Sequence, residues 1–152
     1  MKLRFLCSNH RNWLLSDSAA THASWLRSSS QAELLLSASE GIKAVNYAGC
    51  ALEAAELLVF THARQTAEDI VRFADSAVLL CHALIRVGQP RLACGVIGGS
   101  IARLEELLLQ GIERTTVLNG CQRLLKVGDE PPVPGQVMPD RQVAAAASWS
   151  VH

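Results

Sequence analysis

Cysteine and histidine, the residue types that bind transition metals and serve as nucleophiles, stand close together at two places in this chain. Cys81 and His82 come shortly before Cys94, and Cys7 comes shortly before His10. They lack metal-ligand spacing, because neighbours on a helix point about 100° apart and rarely reach one ion. Nothing nearby marks a cysteine as an activated nucleophile. We therefore predict no metal site, no cofactor and no catalytic residue.

Two pairs of adjacent carboxylates, Glu68-Asp69 and Glu105-Glu106, are the other candidates for acid–base chemistry. Adjacent side chains diverge on a helix, and the Glu-x-x-His motif of di-metal helical bundles does not occur in the sequence. We expect both pairs to be solvated helix surface. Glu68 and Asp69 also favour a helix N-terminus, because acidic groups there interact well with the helix dipole.

The glycine-rich run from Gly95 to Ser100 has residue types that can turn backbone N–H groups toward a phosphate. A phosphate-binding loop follows a strand and ends in Gly-Lys-Ser or Gly-Lys-Thr, whereas this run lies in a helical pattern and has no lysine near it. The sequence therefore favours helix packing over nucleotide binding at this run.

A helical hairpin is the clearest structural signal, and it lies between residues 66 and 108. Thr66, with Asp69 three residues later, has the pattern of a capped helix start. Gly88 suits the left-handed position that ends this helix, and Pro90 suits the first turn of the next one. We expect Thr66, Gly88 and Pro90 to have these structural roles.

The second helix of the hairpin contains three internal glycines, each of which costs about 1 kcal/mol relative to alanine. We expect Gly95, Gly98 and Gly99 to allow close approach of two helix backbones, with a helix break at Gly98-Gly99 as the alternative. Helical periodicity then continues to Lys126, either as one long helix or with a bend near Gly111.

A further helix precedes the hairpin, because apolar residues recur at spacings of three and four from residue 42 to residue 59. Glu53 and Glu56 fall beside this stripe, and we expect both to be solvated. The short connection from His62 to Gln65 predicts that this helix and the next run antiparallel.

The chain divides into three parts by composition. We expect residues 1–30 to be a partly ordered N-terminal arm, residues 31–126 to be the helical domain, and residues 127–152 to be a flexible tail. Four of the five prolines lie between Pro131 and Pro139, in a composition that cannot build its own core.

Charge and hydropathy exclude two classes of partner. Lys plus Arg and Asp plus Glu are both 14, without segregation into a basic face, which argues against nucleic-acid binding. No uncharged apolar run reaches the roughly 18 residues that a membrane span needs. The five cysteines are scattered and odd in number, which is typical of free thiols in a reducing compartment, so we expect a cytoplasmic protein.

The stretch from residue 77 to residue 105 resembles one tetratricopeptide (TPR) repeat, a helix pair with small residues at fixed positions. Those positions are occupied by Cys81, Gly88, Ala93 and Ser100, with Ile97 at the large apolar position. The aromatic and proline positions of the family are occupied by Ala77, Leu84 and Glu105. The resemblance implies stacked hairpins with a groove that receives a peptide or a partner helix.

The combined prediction is an all-α fold of antiparallel hairpins, as a four- to five-helix bundle or a TPR-like right-handed array. We expect a non-catalytic adaptor or chaperone-like module that binds a protein partner or associates with itself as a homodimer. The broad apolar stripe of the first hairpin helix suggests Leu80, Leu84, Ile85 and Val87 as the partner face. The alternative is a small-molecule-binding regulator or enzyme with an inter-helix pocket, in which His62, His82 or Tyr47 supplies polar groups.

Overall fold

Helices make up most of the protein in the computed structural model, which describes residues 3–130 and the backbone of residues 150–151. The described residues form α1 (Ser8–Ser16), α2 (Ser18–Ser37), α3 (Gly41–Glu56), α4 (Ala67–Arg86), α5 (Pro90–Leu109) and α6 (Arg114–Asp129). A π-helical turn, Leu57–Thr61, continues α3. Two short strands, β1 (Leu3–Arg4) and β2 (Ser150–Val151), pair antiparallel. The predicted all-α class is confirmed, with six α-helices in the described chain.

Helix α4 is the centre of the bundle, and α3, α5 and α6 all pack against it. Its apolar stripe is almost fully buried, with Ile70, Phe73 and Leu84 at most 2% exposed. Burying a side chain of this size stabilises the fold by about 1.5–3 kcal/mol. The width of the stripe, which the sequence pattern shows, therefore serves contacts with three neighbouring helices.

The turn between α4 and α5 has the local structure that its residue types predict. The Thr66 hydroxyl caps α4 by accepting a hydrogen bond from the Asp69 N–H at 3.2 Å. Gly88 has a φ of 76° at the end of α4, and Pro90 is the first residue of α5. The Gln89 N–H closes the turn by donating to the Leu84 carbonyl at 2.8 Å. These are a capped start and a glycine-terminated end.

Helix α5 runs unbroken through Gly98-Gly99, so the alternative of a break there is wrong. The expected close approach of another helix is also wrong among the described residues. A Cβ atom added at Gly95, Gly98 or Gly99 would meet no atom of another described element within 4 Å. Close packing occurs at Gly120 of α6, where an added Cβ would lie 3.1 Å from the Ala74 Cβ.

The chain turns sharply between α5 and α6, so residues 107–126 do not form one helix. Gly111 adopts a φ of 74°, and Glu113 precedes α6 with a φ of 42°. Helix α6 continues to Asp129, and Val127, which the sequence division placed in the tail, is buried. The remaining tail, residues 131–149 and 152, lies outside the described residues.

The N-terminal residues contribute to the bundle through α1 and α2. Leu14 of α1 and Thr21 of α2 are fully buried, and α2 packs along α3. Trp25 donates a hydrogen bond from its indole N–H to the Ser76 hydroxyl of α4 at 2.9 Å. Trp13 is 54% exposed, so Leu14 and Trp25 make the docking contacts of this part of the chain.

Candidate binding groove between helices α3 and α5

The four side chains predicted as a partner face lie mainly inside the molecule. Leu80, Leu84 and Val87 are at most 5% exposed, and Ile85 is partly buried against the same core. Of the four, Leu80 alone lines the groove described next, and Leu84, Ile85 and Val87 do not.

A groove of about 270 Å³ lies between α3 and α5, where both helices pack on α4 without covering it completely. Its lining is mostly apolar, and α4 contributes Phe73 and Leu80. The other lining residues come from the N-terminal segment, α3 and α5: Leu3, Phe5, Gly49, Leu52, Glu53, Glu56, Gly95, Val96, Gly99, Ser100 and Arg103. An apolar concave surface with a few polar groups is the usual form of a binding site.

The α5 side of the groove contains two of the three glycines of this helix. Gly95 and Gly99 line the groove, and both are exposed with open space where a Cβ atom would stand. Gly98 is next to them in sequence, equally exposed, and does not line the groove. An incoming chain can therefore approach the α5 backbone closely on the groove side.

One end of the groove is charged. The Arg103 guanidinium lies 3.8 Å from the centre of the Phe60 ring, and its Nη1 donates to the Glu106 carboxylate at 2.6 Å. Arg103 Nε lies 3.4 Å from Glu56 Oε1, but this buried nitrogen makes no hydrogen bond. The expectation of a solvated Glu56 is wrong, since its side chain is only 16% exposed. This end of the groove therefore presents a partly exposed guanidinium.

Another part of the groove is formed by the N-terminal segment, which is held by a buried carboxylate. Glu53 is 4% exposed, so the prediction of a solvated side chain is wrong here too. Its Oε1 accepts hydrogen bonds from the N–H groups of Phe5 and Leu6, the second at 3.3 Å. Its Oε2 accepts one from Arg11 Nη1 at 2.9 Å. The charge is thus paired and hydrogen-bonded, as a buried carboxylate requires.

The Phe5 ring lies directly against the backbone of α3 at Gly49. A Cβ atom added to Gly49 would stand 2.2 Å from the Phe5 Cγ, a distance that no real contact allows. Only glycine at this position accommodates the ring, so Gly49 shapes this part of the groove, a role that sequence reasoning missed. Its one sequence signal was its place on the apolar face of a helix, where glycine is otherwise unfavourable.

The polar residues expected for a small-molecule pocket are not brought together. His62 Nε2 lies 2.9 Å from the Leu14 carbonyl oxygen and 3.3 Å from the Thr21 hydroxyl. His82 Nε2 lies 3.7 Å from Glu130, and Tyr47 is 42% exposed on α3. Neither histidine nor Tyr47 is among the residues that line the groove.

The carboxylates predicted to be solvated near the start of α4 differ from each other. Asp69 is fully buried, and it pairs with Arg64 Nε at 3.0 Å and with Arg72 Nη1 at 2.6 Å. Glu68 is exposed and also pairs with Arg72. Asp69 is therefore part of a capped, charged helix start and is wrongly predicted as helix surface.

Burial makes two of the cysteine thiols poor nucleophiles. All five are free thiols. Burial raises the pKa of Cys50 to about 11 and that of Cys81 to about 12, so both thiols are protonated near neutral pH. Among the described residues, no group of three or more His, Cys, Asp or Glu side chains is placed to hold a metal ion.

Comparison with known proteins adds no family: no protein-family model, no curated protein and no solved structure matches this chain. Within the part of the chain that the structure describes, every helix is too short or too polar to span a membrane.

Proposed function

We propose that this chain is a non-catalytic helical module that binds a peptide or helix of a partner protein in the groove between α3 and α5. The observation that carries the proposal is the composition of the groove: an apolar floor beside a wall that contains the exposed glycines Gly95 and Gly99. Large apolar side chains of a partner would enter the groove while its backbone approaches α5, as in other helix-in-groove complexes.

The size of the groove favours side chains over a whole small molecule as the ligand. Pockets for small molecules usually enclose about 300–1,000 Å³, and this groove, at about 270 Å³, is smaller than that range. A partner peptide needs room for only one or two anchoring side chains, and the rest of its contact area lies outside the groove.

A small amphipathic molecule is the second candidate ligand. The Arg103 side chain lines the groove and is 34% exposed, so an acceptor group of a ligand could reach its guanidinium. A ligand with an apolar part in the groove and a hydrogen-bond acceptor near Arg103 would match both the apolar lining and the guanidinium.

The test compares two leucine substitutions one residue apart on α5. Gly99→Leu places a side chain in the groove, whereas Gly98→Leu adds the same side chain outside it, and neither meets an atom within 4 Å of the new Cβ. Peptides are selected from a random-sequence display library against the wild-type chain, and dissociation constants are measured by fluorescence anisotropy. We expect Gly99→Leu to weaken binding about tenfold or more and Gly98→Leu to leave it within about twofold.

Equal affinities for the two variants would overturn the proposal, because the selected peptides would then bind elsewhere. Binding of a small amphipathic molecule, the second candidate ligand, is measured separately. If no peptide responds to Gly99→Leu, but anilinonaphthalene sulfonate binds the wild-type chain and not this variant, the ligand is a small amphipathic molecule.

The same groove would also support a homodimer, in which each groove receives an apolar segment of the second copy. The likeness of α4–α5 to a TPR hairpin supports a peptide ligand by analogy only. The five free thiols support a reducing compartment such as the cytoplasm.

A further inference from the structure

The N-terminal segment Leu3–Leu6 contacts the groove in the way that a bound peptide would. Leu3 and Phe5 line the groove, and Glu53 accepts hydrogen bonds from the N–H groups of Phe5 and Leu6. The segment is extended, with Leu3 and Arg4 paired to β2. The segment therefore shows that this part of the groove accepts an aromatic ring and main-chain N–H groups.

One contact of the segment involves only its main chain, and another depends on the Phe5 side chain. The Glu53 carboxylate binds main-chain N–H groups, which every residue except proline has. Gly49 instead selects the side chain, because the Phe5 ring fills the space directly above the α3 backbone. We infer that Gly49 and Glu53 form a peptide subsite for an aromatic residue in an extended segment, and that Leu3–Leu6 occupies this subsite when no partner is bound.

The segment is anchored at Leu6 and more loosely held before it. Leu6 is buried, and Glu53 accepts the N–H groups of Phe5 and Leu6, so an incoming segment must replace these two hydrogen bonds. Leu3 and Phe5 are only partly buried, Arg4 is exposed, and the β1–β2 ladder contains two residues on each side. Segments with few buried contacts open locally at a small fraction of the free energy of global unfolding. A partner with an aromatic residue in an extended segment would therefore compete with Phe5 for the same position.

Occupation of the subsite by Leu3–Leu6, which we call self-occupation, should lower the affinity of the protein for an external peptide. The apparent affinity of a site falls in proportion to the fraction of molecules in which the site is free. If Leu3–Leu6 occupies the subsite in nine of ten molecules, an external peptide binds about tenfold more weakly than to an empty subsite. This inference rests on the proposed peptide-binding function and names both the ligand class and the competitor.

The experiment uses the full chain and a peptide of its own residues 1–8, labelled at the C-terminal end, with serine in place of Cys7 to prevent disulfide exchange. Phe5→Ala removes the ring from the protein and opens the aromatic position beside Gly49. We expect this variant to bind the peptide about tenfold more tightly than the wild-type chain does, measured by fluorescence anisotropy. A peptide carrying Phe5→Ala should not bind measurably.

The matched control adds Gly49→Ala to the Phe5→Ala protein. The new methyl group takes the place of the ring, so peptide binding should be lost, while circular dichroism shows that the helices are retained. Absence of binding by the Phe5→Ala protein, or unchanged binding after Gly49→Ala, would overturn the subsite. Equal binding by the wild-type and Phe5→Ala proteins would overturn self-occupation.

Failure of the subsite at Gly49 and Glu53 can be distinguished from failure of peptide binding in the groove. If library peptides lose affinity in Gly99→Leu but the residue 1–8 peptide does not bind, only the subsite inference fails. If library peptides are insensitive to Gly99→Leu, the groove proposal fails regardless of the N-terminal peptide.

Discussion

At the scale of single residues, the main feature is that several polar groups expected at the surface are buried with specific partners. Glu53 binds the N-terminal segment and Arg11, and Asp69 binds Arg64 and Arg72. A buried carboxylate that loses its partners is strongly destabilising, so these positions tolerate little change. Asp69 binds sequence neighbours, whereas Glu53 connects α3 to Leu6 and Arg11, which are 47 and 42 residues away.

The Cys81 thiol gives a prediction about alkaline pH. Burial raises its pKa from 9.0 to about 12, so between these values the folded state retains a proton that the unfolded chain releases. Stability is therefore fully present below about pH 9 and falls as the pH rises, by up to about 1.4 kcal/mol per pH unit for this thiol.

The measurement is urea unfolding at several pH values from 8 to 10.5, with Cys81→Ala as the matched variant. The variant lacks this proton, so its free energy of unfolding should fall less steeply with pH than that of the wild-type chain. Identical slopes in the two proteins would contradict the assignment. Other titrating groups contribute to both slopes equally and cancel in the comparison.

At the scale of helices, α5 has three glycines whose Cβ positions face open space among the described residues. Each lowers helix stability by about 1 kcal/mol relative to alanine. The cost has no compensation inside the described residues, since an added Cβ at Gly95, Gly98 or Gly99 has open space around it. At Gly95 and Gly99, we expect the proposed contact with a partner to offset the lower helix stability.

Gly98→Ala should therefore stabilise the free protein by up to about 1 kcal/mol, because alanine restricts the unfolded chain and extends the helix without a clash. Thermal or urea unfolding measures the change. Gly88→Ala is the matched comparison: Gly88 has a φ of 76°, which a side chain disfavours, so the same substitution should destabilise by about 1 kcal/mol. A destabilised Gly98→Ala protein would indicate that this face is already covered.

At the scale of the whole molecule, the described helices form one bundle in which the N-terminal part is structural. Helix α2 packs along α3, Trp25 bonds to Ser76 of α4, and Arg72 lies 5.3 Å from the centre of the Trp25 ring. Such contacts make α2 part of the same cooperative unit as the central helices.

A variant with Trp13→Phe and Trp149→Phe leaves Trp25 as the only tryptophan and tests this cooperativity. We expect its fluorescence and the helical circular dichroism signal to change at the same urea concentration, because the Trp25 environment is lost only when α4 unfolds. An earlier fluorescence transition would show that α2 detaches as a separate unit.

What the sequence predicts correctly is local. The cap at Thr66, the left-handed turn at Gly88 and the start at Pro90 depend on neighbours a few residues away, so their residue types suffice. The groove depends on tertiary contacts instead. Glu53 meets Arg11 across 42 residues of chain, and no spacing rule relates such positions. The broad α4 stripe indicates burial, but not whether the covering surface is internal or external.

The glycines on the groove side of α5 also bear on how selective the binding can be. Where the α5 wall is bare main chain, at Gly95 and Gly99, it would present the same atoms to any partner of the proposed groove and would distinguish poorly between apolar segments. Discrimination would then fall to the ring position at Gly49 and the charged group at Arg103. A protein arranged in this way would accept a family of related segments that share their end residues and vary between them.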